Sequence, residues 1–199
     1  MNATDLLSRV LPRLAKLPDG SGVSFIDALN TAVDVFFERL HRKRSGIVRV
    51  TFDDFDVAVA DEVVDLPANF RGLVSGRLKL AIGTTTYPIS ELPADVDPPT
   101  SGKPAYFELL GVRQMQFYPA SDAAYTLKGS YYAHPGTMSM SSRIPWGGLF
   151  DSALADAVVA IAAAGSIEAM QAATRGTLEE MIDGVLAART VSPRRNRLW

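Results

Sequence analysis

The hydrophobic period of this chain changes twice, and that change limits the folds open to it. Up to Gly46 the apolar residues recur every three to four positions. From Ile47 to about Ala133 many recur every second position, and from Leu149 the wider spacing returns. Residues three and four apart share one face of a helix, whereas alternate residues share one face of a strand. A run of strands between two helical ends is therefore predicted.

The first helix begins at a cap formed by Asn2 or Thr4 and carries Leu6, Leu7, Val10, Leu11 and Leu14. Pro12 is expected to kink it or to start a second short helix, because proline lacks the backbone donor and clashes with the preceding turn. Pro18-Asp19-Gly20-Ser21-Gly22 reads as a turn. Ser24 caps a second helix with Phe25, Leu29, Ala32, Val33, Phe36, Phe37 and Leu40 on one apolar face and Asp27 in a capping-box position. Arg39, Arg42, Lys43 and Arg44 suit its negative C-terminal end, and Gly46 stops it.

Short strands are predicted around Ile47–Val50, Val57–Val59 and Val63–Val64, then over Leu73–Ile82 and Thr84–Ile89. Residues 91–104, with Pro93, Pro98, Pro99 and Pro104, read as a loop. Tyr106–Leu110 and Met115–Tyr118 flank Gly111-Val112-Arg113 as a hairpin. Tyr125–Ala133 reads as one strand. A small-residue helix follows from Leu149, with Ala153, Leu154, Ala157, Val158, Ile161 and Ala162 on one face. Ser166 caps a last helix that Gly176 weakens.

The expected fold class is α+β. Residues 1–46 and 149–188 supply the N- and C-terminal helices of a helical bundle, 47–148 form a β-rich insertion, and 189–199 form an extended C-terminal arm.

Composition narrows the chemistry. With 47% apolar residues a core can form, and a net charge of -2 points to neither nucleic acid nor an anionic membrane as the main partner. The chain has no cysteine, which excludes disulfides, thiolate nucleophiles and zinc–thiolate sites. Met1–Leu17 contains Asp5 and Arg9, so no secretory leader is expected, and Ala153–Gly165 contains Asp156 and is too short to span a bilayer. A soluble protein without a membrane partner is predicted.

Charge is distributed unevenly. Asp53, Asp54, Asp56, Asp61, Glu62 and Asp65 form an acidic run, read either as a solvated face, as the wall of a lumen, or as a subunit contact. Arg42, Lys43 and Arg44 are the basic run that such a contact would use, although exposed ion pairs are worth little each. The chain ends on Arg194, Arg195, Arg197, Leu198 and Trp199; arginine and tryptophan are enriched at binding hot spots, so this arm is the foremost binding candidate. Tyr106, Phe107, Phe117, Tyr118, Tyr125, Tyr131 and Tyr132 read as core and cross-strand pairs rather than a nucleic-acid platform, since no regular Lys or Arg interleaves with them. His41 and His134 have no carboxylates at ligand spacing, so no metal site, no cofactor and no catalytic residue is predicted.

The stretches VVDLPANFRGLVSGRL, GKPAYFELLGVRQMQFYPASDAAYTLKGSYYAHP and LFDSALADAVVAIAAAG, together with the helix VSFIDALNTAVDVFFERL, resemble in order and spacing the tailed-bacteriophage head-to-tail adaptor (connector) family. The resemblance covers roughly three quarters of the chain. The Gly147-Gly148 pair and the Met138/Met140 linker fit no part of that pattern. Such proteins assemble as rings, commonly of twelve, beneath the portal, and their C-terminal arms commonly reach along it. The resemblance implies a non-enzymatic virion protein of the neck, assembled in the host cytoplasm; a monomer before assembly is expected because an early ring could not wait for a packaged head. Its implied partners are the portal protein, a tail or nozzle/stopper protein and further copies of itself, with DNA passing through the lumen without sequence-specific binding. The rival readings are a stopper or tail-completion protein built around a β-barrel, a carboxylate-dependent hydrolase, and a DNA-binding packaging factor.

Overall fold

The computed structural model describes residues 1–16, 23–52, 55–60, 62–75, 77–164, 180, 182–184 and 187. The chain divides into two compact units, one of Met1–Ile47 with Pro135–Trp199 and one of Val48–His134.

Three α-helices are described in the first unit: α1 (Ala3–Leu14), α2 (Phe25–Arg42) and α3 (Asp151–Ala164). Asn2 caps α1 in a full capping box, its side chain accepting from the Asp5 amide at 2.8 Å while the Asp5 carboxylate accepts from the Asn2 amide at 2.9 Å. Pro12 neither kinks the helix into two nor starts a new one. It lies in the last turn, and α1 ends two residues later at Leu14. Ser24 caps α2 through the Asp27 amide, and its hydroxyl donates to the Asp27 carboxylate. Helix α2 buries Leu29, Ala32, Val33, Phe36, Phe37 and Leu40, the face its spacing predicts. Helix α3 buries Ala153, Leu154, Ala157, Val158, Ile161 and Ala162 and packs against both α1 and α2; its small residues let the helices approach closely. None of the described helices is long and apolar enough to cross a membrane.

The linker before α3 is held down rather than free. Asn30 of α2 donates to the Met138 carbonyl at 3.3 Å and accepts from the Met138 amide at 2.6 Å, as a strand partner would. The Met1 carbonyl accepts from Ile144, and the Ser142 carbonyl from Ala3. These bonds bring Trp146 onto Phe36 and Phe150, at centroid distances of 6.1 and 5.9 Å.

The second unit is a sheet structure with its own core. Its strands are β1 (Arg49–Thr51), β2 (Phe55–Val57), β3 (Val63–Asp65), β4 (Phe70–Leu73), β5 (Arg77–Ile82), β6 (Thr85–Glu91), β7 (Tyr106–Leu110), β8 (Gln114–Tyr118), β9 (Tyr125–Lys128) and β10 (Ser130–Ala133). A three-stranded sheet has the order β1-β10-β4, and a seven-stranded sheet has the order β2-β9-β5-β6-β7-β8-β3. The outer strands of the larger sheet, β2 and β3, are neighbours in sequence. Laid flat, seven strands would hold these edges roughly 29 Å apart, at about 4.8 Å per gap. The six residue-to-residue steps from Val57 to Val63 span at most about 21 Å. The sheet must therefore curl, and it forms a nearly closed, barrel-like structure around Val57, Leu78, Leu80, Ile89, Phe107, Met115, Phe117 and Leu127.

The expected helical bundle with a β-rich insertion is thus corrected: the architecture is principally β-sheet. Ten strands stand against three α-helices among the described residues. The apolar faces of the helices led the sequence reading to take them as the frame. Strand alternation reveals which side of a strand is apolar but not that the sheet closes around a core of its own.

The two sheets share a corner. Strands β1, β10 and β4 continue in the chain as β2, β9 and β5, in the same lateral order. Three ribbons bend together, and the predicted single strands over 73–82 and 125–133 are each broken there. Gly129 sits at the bend between β9 and β10. A Cβ at this position would lie 2.4 Å from Leu78 Cδ2 and 3.7 Å from Phe52 Cδ2. The Gly129 carbonyl accepts from Phe52 at 3.1 Å and the Ser130 carbonyl from Val74 at 3.0 Å, so backbone bonds tie all three ribbons at the corner. The proline-rich segment after β6 also has a structural role: it is the crossover that lets β6 and β7 pair in parallel, a connection that needs about a dozen residues.

Candidate interaction surfaces

The acidic run is split between the two edges of the barrel-like sheet. Asp56 lies exposed on β2, where its carboxylate accepts a long bond of 3.4 Å from Thr126. Glu62 and Asp65 are exposed before and on β3, and Asp65 accepts from the Gln114 side chain at 3.0 Å. Asp53, Asp54 and Asp61 lie outside the described residues. Of the basic run, Lys43 is the C-cap of α2 and pairs with Asp183 of its own chain, while Arg42 and Arg44 are exposed. The arm residues Arg194, Arg195, Arg197, Leu198 and Trp199 lie outside the described residues.

Most of the aromatic residues of the strands are interior. Phe107 and Phe117 are fully buried and Tyr125, Tyr131 and Tyr132 are buried, while Tyr106 and Tyr118 are half-buried. His41 is half-buried and stacks on Phe37 at a centroid distance of 5.5 Å. Among the described residues no group of three or more His, Asp or Glu could hold a metal ion.

Two surface features were not apparent from the sequence. Val59 is 61% exposed in the turn between β2 and β3, beside Ala60, whose φ of 65° is a left-handed conformation that alanine seldom adopts. The Ala60 amide donates to the Ser121 carbonyl at 2.7 Å, which pins the turn in this shape. Beyond the other end of β3, a cleft of ≈ 490 Å³ opens beside the β7–β8 turn, lined by Leu66, Leu110, Val112 and Arg113 among others. The one sequence signal is Val112 in the predicted hairpin turn; the alternation places Val59 on a strand.

Two tyrosine hydroxyls donate to carboxylates. Tyr118 meets Glu108 at 3.1 Å, and Tyr125 meets Asp122 at 2.6 Å. Burial, reinforced by the Asp122 carboxylate, pushes the Tyr125 phenol up to about 12. Burial and Glu108 also raise Tyr118. A raised folded-state value means that the unfolded chain ionises first. The Tyr125 contribution to stability is then intact below about pH 10 and lost as pH climbs toward 12. Denaturant melts across this interval should show Tyr125→Phe losing stability less steeply than the parent; parallel curves would contradict the assignment.

Among the described residues the geometry gathers no group of metal-ligating side chains. It offers exposed charge at two sheet edges, a pinned apolar turn and a cleft, which are the means of holding other macromolecules. The chain matches the SU10 adaptor protein family over residues 1–197. It belongs to that family. The family is one of phage head–tail adaptors, so this SU10-type adaptor is a structural component of the virion that contacts other virion proteins, and its family is not a class of enzymes. No curated protein matches the chain.

Proposed function

We propose that this adaptor forms a ring, of twelve copies by the family resemblance, in the neck of the virion, joining the portal protein to the tail or to a nozzle/stopper protein. The carrying observation is the family match over residues 1–197, which takes in both compact units and most of the C-terminal arm. In this reading the protein is made in the host cytoplasm and adds to a completed portal. Arg194, Arg195, Arg197, Leu198 and Trp199 order on the portal, guanidinium groups meeting carboxylates and Trp199 filling an apolar pocket. The acidic residues Asp53, Asp54, Asp56, Asp61, Glu62 and Asp65 give the lumen negative character that keeps passing DNA from adhering, or meet a neighbouring copy. Because Lys43 is already paired with Asp183, the basic side of such a contact rests on Arg42 and Arg44. The protein contributes binding surfaces and no bond-making chemistry.

One observation favours the stopper reading: the barrel-like seven-stranded sheet is the architecture expected of a stopper. The adaptor family match over nearly all of the chain outweighs it. Electron microscopy of purified virions, with a tag on this chain, separates the two. A ring of copies directly below the portal is expected. Density one level further down the neck, or in no ring at all, would overturn the proposal.

A further inference from the structure

The pinned turn and the cleft lie at opposite ends of the β3–β8 pair. Val63 pairs with Gln116 at the end nearer the turn, and Asp65 pairs with Gln114 at the cleft. At the turn, Val59 (61% exposed), Glu62 and Val63 (42% exposed) are all open to solvent. At the cleft, Val112 (70% exposed), Leu110 and Leu66 line the wall beside the guanidinium of Arg113. Asp65, also on that rim, already accepts from Gln114, so Arg113 is the rim group suited to an incoming acid. A left-handed alanine held by a 2.7 Å bond keeps the valine knob in one shape before any partner arrives, which lowers the ordering cost of a contact.

We infer that copies of this adaptor meet head to tail, the Val59–Val63 knob of one entering the cleft beside Val112 of the next, with Glu62 against Arg113. Two complementary features at the two ends of the β3–β8 pair are different patches of one copy, so a contact between them is heterologous: each copy offers its knob to one neighbour and its cleft to the other. Such contacts make a ring when the rotation between copies closes. The inference rests on the ring reading above and names the surfaces that would build the ring.

The chain contains no cysteine, so cysteines introduced at these positions are the only thiols it brings, and cross-links between its copies appear at multiples of its own mass. Virions are grown with the Val59→Cys, Val112→Cys double variant and oxidised with copper phenanthroline, then run without reductant. A ladder extending beyond the dimer is expected, with nothing above the dimer from either single variant. A ladder stopping at dimer would mean a twofold contact and would overturn the inference. Copy number, counted by mass spectrometry of parental virions, separates the two readings. Many copies without a ladder would sink this contact and leave the ring. A single copy per virion would sink both.

A charge exchange tests the same contact without cysteines. Glu62→Arg and Arg113→Glu are both exposed substitutions, and each is expected to lower incorporation into virions at least about tenfold. Combined, they should restore it to within about threefold. A double variant no better than the singles would count against the pairing.

Discussion

A chain shortened by deletion of Arg194 to Trp199 is expected to fold like the parent and to fail at joining portals. The helical faces and the sheet core that hold the described structure together lie upstream of the deletion: the buried residues run from Ala3 to Ala162, with Ile182 beyond them. Circular dichroism and the thermal midpoint should therefore be unchanged. Binding should suffer heavily, because three arginines and a terminal tryptophan are lost together. Hot-spot side chains of these types each contribute about 2 kcal/mol or more, so a single arm would lose at least about a hundredfold in affinity. A ring engages many arms at once, which multiplies the loss. Co-sedimentation of the shortened protein with portal-bearing heads measures it directly. Undiminished joining would show that the arm is dispensable and that the portal is held by another surface.

The second large effect is expected at the sheet corner. Gly129→Ala places a methyl group 2.4 Å from Leu78 Cδ2, inside van der Waals contact. Leu78 is 2% exposed and surrounded by other core side chains, so it cannot swing into solvent. It must leave its rotamer, or the β9–β10 bend must open. Overpacking of this kind costs about 1–3 kcal/mol. The second mutation of a cycle identifies the cause. Leu78→Ala alone leaves a cavity and costs about 2–5 kcal/mol. In the double variant the new methyl enters space that Leu78 has vacated, so the combined loss should fall below the sum by about 1 kcal/mol or more. Denaturant titration of the four proteins gives the cycle. Simple additivity would show that Gly129 is required for another reason.

Much of the local structure could be read from residue spacing, while the way its pieces come together could not. Helix α2 was legible because a wide apolar face, a serine cap and a basic last turn agree with one another. The β7–β8 hairpin was legible because Gly111, at φ 62°, marks a turn that a side chain would strain. The breaks near Val74 and at Gly129 were not, because alternation continues across a bend that only the neighbouring ribbon reveals. The parallel pairing of β6 with β7 was hidden in the same way, since a proline-rich crossover looks like any other loop. The fold class was misread for a related reason: pairing partners decide whether strands form an appendage or a curled sheet with its own interior.

The candidate surfaces divide similarly. Charge runs are visible in sequence, but the pairing of Lys43 with Asp183, 140 residues away, is not. Exposure of Val59 was equally hidden, because a valine at the end of a strand pattern is expected to face inward, whereas Val112 stands in the predicted hairpin turn.

The corner at Gly129 has a mechanical consequence. Three strands pass from one sheet to the other as unbroken backbone, so tension applied to the small sheet reaches the large one through peptide bonds in parallel. Pulling the sheets apart would mean tearing hydrogen bonds along three ribbons together rather than unzipping one edge. A part that must keep its shape while neighbours tug on it is well served by joints of this sort, in which stiffness comes from covalent continuity rather than from how tightly two surfaces adhere.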